Sequence, residues 1–173
     1  MVATFSWVEY NTQSTDTGVP TNLNLGSTNT RNLAPSTFPI TAGTYSFSKW
    51  VRGLWTGSFT RIDNIQFWMS ASGTGYVTGE KLNFNGTTGT YNGTTLYKVP
   101  TNHVEAKGGT MRAMITANPA AANIGIKGSL TGSITQTNTV NSSDFVIVQA
   151  SIGASASAGA VQQKTFTLQY DEV

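Results

Sequence analysis

The chain has 173 residues, 38% hydrophobic and only 10% charged, with a formal net charge of +2 and no cysteine. That length makes one domain with enough apolar content for its own core, and the missing thiols exclude disulfide frameworks, zinc–thiolate sites and thiol nucleophiles. Ten basic side chains scattered singly against eight acidic ones do not make the stripe that displaces counterions from nucleic acid, and no apolar run approaches the roughly 20 residues of a membrane-spanning helix. Neither nucleic acid nor a membrane is an expected partner.

Residues 1–10, "MVATFSWVEY", alternate with Phe5 and Trp7 in one phase and Val8 and Tyr10 in the other. They read as a short strand with apolar groups on both sides. Residues 11–44 are rich in Thr, Asn, Pro and Gly, and Pro20, Pro35 and Pro39 interrupt any long ladder. Two readings stand for this segment: a long loop with one short strand at Leu23–Leu25, or an extended arm ordered against a neighbouring subunit. The chain divides accordingly into an N-terminal strand with arm or loop over 1–44 and a β-domain over 45–173.

From Tyr45 the strand signal is dense. "YSFSKWVRGLW" places Tyr45, Phe47 and Val51 in one phase and Ser46, Ser48, Trp50 and Arg52 in the other. "SFTRIDNIQFWMSAS" sets Ile65, Phe67 and Met69 against Asn64, Gln66 and Trp68. "YVTGEKLNF" and "GTYNGTTLYKVP" follow, and the Asn85-Gly86 and Asn92-Gly93 pairs are hairpin signals. "GGTMRAMITA" is a further strand, and the alanines after Pro119 support at most one helical turn. "NIGIKGSLTGSI" is interrupted by glycines, which predict bulges or close backbone approach. "DFVIVQASI" is continuously apolar and predicts a central strand covered on both faces. "KTFTLQY" turns Phe166, Leu168 and Tyr170 inward, with Phe145 and Ile147 expected beside them on a neighbouring strand. About eight or nine strands and no amphipathic helix predict an all-β fold, as a single β-sandwich, a jelly-roll-like domain or a partly open barrel.

Groups able to do chemistry are few. His103 is the single histidine. Glu105 stands two residues on, but no nucleophile elbow accompanies them, so a triad is not expected. The eight carboxylates are dispersed, and nothing selects the flanking pair that glycoside hydrolysis requires. Asp63 and Asp144 open strands and read as turn caps. No Asp/Asn loop dense enough for calcium and no phosphate-cradling loop is present. The expectation is no catalytic residue, no metal and no cofactor. "KWVRGLWTGSFTR", residues 49–61, mixes Trp50 and Trp55 with Lys49, Arg52 and Arg61. If Tyr45, Phe47 and Val51 face the core, Trp50 points outward beside Arg52, as an interface hot spot does. The candidate interface is Trp50, Arg52 and Trp55, with Asp171 and Glu172 of the terminal "YDEV" facing a basic partner.

Several segments together resemble a known class: "TNLNLGS" at 21–27, "PITAGTYSFSKWVRGLWTGSFTRIDNIQFW" at 39–68 and "SDFVIVQASIGASASAGAVQQKTFTLQYDEV" at 143–173. They resemble small all-β virion structural proteins of tailed bacteriophages. The shared features stand here as Ala42-Gly43, Ser46 or Ser48 with Lys49, Ile62 with Asn64 and Phe67-Trp68, and Tyr170-Asp171-Glu172. None is catalytic, and the resemblance implies a structural role in the particle. The leading expectation is a capsid decoration (cement) protein on the virion surface, a trimer bound to the major capsid protein or another virion protein. It would be assembled in the host cytoplasm, in keeping with an N-terminus that lacks the basic and apolar regions of a signal peptide. The alternatives are a tail or adhesion protein, and a carbohydrate-binding module stacking sugar on Trp50, Trp55 or Trp68. A hydrolase remains formally open.

Overall fold

The computed structural model describes residues 2–11, 17–70, 76, 78–86, 111–136, 141–156 and 163–173. The strand expected over 89–100, the Asn92-Gly93 turn, His103 and Glu105 lie outside them. Nine strands run through the described residues: β1 (Ala3–Tyr10), β2 (Thr17–Gly18), β3 (Lys49–Gly57), β4 (Arg61–Ser70), β5 (Glu80–Asn85), β6 (Arg112–Ala113), β7 (Ile134–Thr135), β8 (Val146–Ile152) and β9 (Thr165–Glu172). No helix occurs among the described residues, not even at the alanines after Pro119. The fold is all-β, in two antiparallel sheets ordered β2-β1-β3-β8-β5-β6 and β7-β4-β9.

The apolar patterns explain this order. β8 sits between β3 and β5. Its Val146, Val148 and Ala150 enter the main core, while Phe145 and Ile147 enter a second cluster with Tyr10 and Trp50. A strand buried on both faces needs apolar side chains in both phases, which is why "FVIV" is continuous. In β4, Ile62 and Ile65 are both fully buried although three residues apart, so strict alternation would expose one of them. A register shift between Asp63 and Gln66 resolves the conflict, with Asn64 at φ 49°. An asparagine tolerates that left-handed conformation, and the extra residue of a bulge turns both isoleucines inward.

The chain passes from the first sheet to the second between Gly57 and Arg61. Gly57 adopts φ 87°, a conformation glycine adopts without steric cost, and Phe59 of this corner is buried in the main core. β9 then pairs with β4 along its length, and Val173 closes the ladder by exchanging backbone hydrogen bonds with Arg61. The core lies between aromatic groups of both sheets. Phe5 meets Trp55 at 5.3 Å and Trp55 meets Tyr170 at 5.3 Å, while Phe67 meets Trp7 at 5.8 Å, Phe84 at 6.1 Å and Phe166 at 5.6 Å.

Two expectations need correction. Residues 19–44 lie against the domain and do not extend from it: Leu33 is buried, and Leu23, Leu25 and Ile40 pack on the main core. No strand forms at Leu23–Leu25. Side chains satisfy the backbone there instead, as when Asn24 donates to Leu33 O and Asn32 accepts from Thr21 N–H. β1 belongs to the main sheet, pairing with β3 over eight residues, so the boundary drawn at residue 44 does not separate it from the domain. Second, Phe166, Leu168 and Tyr170 do turn toward the main core, but Phe145 and Ile147 do not join them. β9 pairs with β4, and those two residues occupy the opposite face of the other sheet.

Phe67 is fully buried at the junction of both sheets, and Phe67→Ala should cost about 3–5 kcal/mol in a denaturant titration. Leu168 is only partly buried on an edge strand, so Leu168→Ala should cost roughly 2 kcal/mol or less, below the range for fully enclosed leucines.

Candidate functional site

The five expected interface residues fall in three places. Trp50 is fully buried, its indole N–H donating to Ser48 Oγ at 3.2 Å and its ring meeting Phe145 edge-on at 5.3 Å. It lies directly between Tyr10 of β1 and Ile147 of β8. Arg52 shares this face and is also buried. Trp55 points to the other face, fully buried in the main core. Trp50, Arg52 and Trp55 are therefore interior residues of this chain, and the outward reading of Trp50 does not hold. The reason is the place of β3: it lies inside the sheet with the main core on one face and the second cluster on the other, so facing away from Val51 does not mean facing solvent.

Arg52 fills a defect in the sheet. Three residue steps on β3, from Val51 to Leu54, face four on its partner, from Val146 to Ser142. The surplus residue opens the ladder, and Arg52 occupies the opening. Its Nε donates to Ser143 O at 3.0 Å, Nη1 reaches Tyr10 Oη at 3.5 Å, and Nη2 bonds Ser142 Oγ. The guanidinium also lies over the Phe145 ring at 5.1 Å. Burial lowers its pKa, while Tyr10 and Asp144 oppose that shift.

Asp144 belongs to the same surplus stretch. Its Oδ2 accepts the Gly128 N–H at 2.7 Å, and its own N–H donates to Gly125 O. Lys127 and Gly128 are consecutive left-handed residues, at φ 52° and 82°, which aims the amide at the carboxylate. Gly125 is required by space, since a Cβ there would fall on Asp144 Oδ2. Burial pushes Asp144 up to about 6, and the Gly128 amide and Arg52 hold it from going higher. Ser143 Oγ donates to Asp144 O and accepts from Gly53 N–H, and Ser142 Oγ is held by Arg52. Each hydroxyl is committed to the fold, with no base placed beside it. Through Asp144 the network ties Gly125 and Gly128 to the segment that pairs with β3.

A second buried polar pair was not anticipated. Lys49 and Glu9 form an ion pair at 2.7 Å with side chains 2% and 0% exposed. Lys49 also donates to Thr30 O at 2.6 Å, and Asn11 donates to Glu9 Oε1 at 2.8 Å. Together they fasten the 29–31 segment to the sheet. The signal was phase: Glu9 alternates with Phe5 and Trp7, and Lys49 with Val51, so both point to the core side. A third pair, Lys164 with Glu80 at 2.6 Å, is buried at the other end of the first sheet.

The surface offers a cleft of about 290 Å³ beside Thr44, Tyr45, Lys81 and Ser151. Lys81 is its one ionisable wall apart from the Tyr45 phenol, so it presents no acid–base pair. No group of three His, Asp or Glu side chains able to hold a metal occurs among the described residues. Charge and exposed apolar surface coincide instead at the end of the molecule where β4 begins and β9 finishes. Val2 and Val173 are 79% and 60% exposed. Arg61 pairs with Asp63 at 2.7 Å, and Asp63 stands directly across from Asp171. Asn64 donates to Asp171 at 3.1 Å, and Glu172 accepts the Ala3 N–H at 2.9 Å. Three carboxylates against one guanidinium make this tip acidic. Asp171 and Glu172 are thus both exposed, and Glu172 also ties β1 to β9.

Removing one partner of the buried pair leaves the other charge enclosed. Lys49→Met should therefore destabilise the fold by about 3–5 kcal/mol, and Glu9→Leu with Lys49→Met by less; a double variant as unstable as the single would refute the coupling. Asp144 binds its proton more tightly in the fold than in the unfolded chain, where its pKa is near 3.8. Its contribution favours the fold below that value and is lost as pH rises through about 6. The melting temperature of the parent should accordingly fall relative to Asp144→Asn between pH 4 and about 7. A difference independent of pH would show an ordinary carboxylate. No family model matches the chain, and no curated protein or solved structure matches it.

Proposed function

We propose that the protein is a non-enzymatic virion structural protein of a tailed phage, a decoration protein that docks onto an assembled capsid. The reading rests on the resemblance of residues 21–27, 39–68 and 143–173 to such proteins, and the acidic tip is the observation that supplies a docking surface. Exposed Val2 and Val173 form its apolar centre, and Arg61, Asp63, Asp171 and Glu172 form a charged rim, the arrangement of protein interfaces. We read the two sheets as a β-sandwich whose interior polar network is committed to rigidity. A rigid module that binds only the assembled lattice stabilises that lattice by mass action. Icosahedral shells present three-fold and quasi-three-fold positions, which a trimer fills by symmetry.

The test is co-pelleting with capsids that lack the protein. Asp171→Asn with Glu172→Gln keeps both acceptor oxygens, so the melting temperature should stay within the range of surface changes, about 0.5 kcal/mol in stability. Attachment should weaken, and more at low salt than at high salt, because exposed charges are screened as ionic strength rises. Equal pelleting of parent and variant at both salts would reject the tip as the docking surface. Copies per particle on the order of hundreds are expected for a shell component; tens or fewer would place the protein in the tail.

A further inference from the structure

We propose that the outer face of the three-stranded sheet, centred on Trp68, is a binding surface for neutral carbohydrate. Of the four tryptophans, Trp7 and Trp55 pack in the main core and Trp50 in the second cluster, whereas Trp68 belongs to neither. On β4 the buried residues Ile65, Phe67 and Met69 set the inward phase, so Trp68 projects outward and remains partly exposed. No ring contact or hydrogen bond engages its indole among the described residues.

The side chains around it are uncharged. Thr167 lies directly across from Trp68, and the Gln66–Gln169 pair lies one pleat away on the same face. Gln66 Nε2 donates to Pro119 O at 2.8 Å, and Asn118 Nδ2 reaches Gln169 Oε1 at 3.5 Å. These bonds orient the amides: Gln66 is buried and braces the face from beneath, while the exposed Gln169 Nε2 and Asn118 Oδ1 can meet hydroxyl groups. Asp171 is four residues from Thr167 along β9, roughly 13 Å away, and Asp63 is five residues from Trp68 along β4, roughly 17 Å away, at about 3.3 Å per residue.

One flat aromatic ring bordered by amides and a hydroxyl matches the two sides of a pyranose. Its C–H face packs on the indole, and its equatorial hydroxyls meet amide donors and acceptors. An anionic ligand would find no cation among the described residues of this face. A protein partner would need a larger apolar centre than a single tryptophan provides. The site is open and nearly flat, so affinity for a single chain should be weak, on the order of millimolar. A trimer would present three such faces and gain by multivalency. The surface lies away from the acidic tip, so it does not depend on the docking reading.

The test uses the full chain with cellohexaose, maltohexaose and chitohexaose as neutral probes and a heparin hexasaccharide as the anionic control, read by saturation-transfer NMR and titration calorimetry. At least one neutral probe should bind, with its ring protons receiving saturation, and the heparin fragment should not. Trp68→Ala should weaken binding roughly tenfold or more, the loss of a central aromatic anchor, with an unchanged melting curve. Gln169→Ala, which leaves the indole in place, should weaken it a few-fold and serves as the second variant should Trp68→Ala unfold. The proposal is overturned if no neutral probe binds at roughly 5 mM, a concentration above the expected dissociation constant. It is equally overturned if the heparin fragment binds as well as the neutral ones, or if both variants bind like the parent.

Discussion

Coverage of the centre of the six-stranded sheet, β3 and β8, on both faces is the constraint on which the rest of this structure depends. Where β3 and β8 are enclosed on both faces, over 49–52 and 145–150, each polar group must find a partner within the chain, because an unpaired buried charge or amide costs several kcal/mol. β3 brings Lys49 to one face and Arg52 to the other. Glu9 and Thr30 O satisfy the first, and Ser143 O, Ser142 Oγ and Tyr10 satisfy the second. Each solution recruits an irregular segment. The Lys49 pair draws residues 29–31 onto the sheet, and the Arg52 site with Asp144 draws in the turn at Gly125 and Gly128. Segments poor in apolar residues are thus held by polar anchors at a few buried points.

The same economy shapes the surface. With 10% charged residues and the ion pairs Lys49–Glu9 and Lys164–Glu80 enclosed, little charge remains outside among the described residues, and what remains is uneven. The corner from Gly57 to Arg61 sets the start of β4 beside the end of β9, which gathers Asp63, Asp171 and Glu172 at one tip. Among the described residues, the far end of the same two strands carries no charge on its outer face, where Trp68 stands among amides. One short sheet therefore presents two chemically different surfaces. The acidic one suits electrostatic docking and the neutral one suits a ligand without charge. Both sit on hydrogen-bonded strands, a more rigid support than loops provide.

Much of this was legible from the chain alone. Alternation in "KTFTLQY" and the continuous run "DFVIV" identified β9 as one-sided and β8 as central, because side-chain direction along a strand has period two whatever lies beyond it. The glycines of "NIGIKG" marked close approach, and Gly125 against Asp144 is such a place. The sparse prolines and leucines of 19–44 marked irregular backbone, and that segment is irregular. Exposure of Asp171 and Glu172 also followed from where the apolar pattern stops.

Periodicity separates the two faces of a strand but does not say what covers each. Trp50 and Val51 are in opposite phases, as the sequence requires, yet both are fully buried, since strand order places β3 between β1 and β8 with a cluster on either side. Pairing was equally beyond the local pattern: Phe145 and Leu168 have compatible phases, but β9 joins β4, in the other sheet. The bulges that turn Ile65 inward and open a seat for Arg52 arise from a mismatch between two strands, which neither strand's sequence contains. The sequence by itself determined strand content, the phase of each side chain and the scarcity of catalytic groups, because these depend on residue type and local geometry. Only the tertiary structure decided which phases were enclosed, which charges paired inside and that Trp68 alone of the four tryptophans lies outside both clusters, because each depends on contacts between segments far apart in the chain.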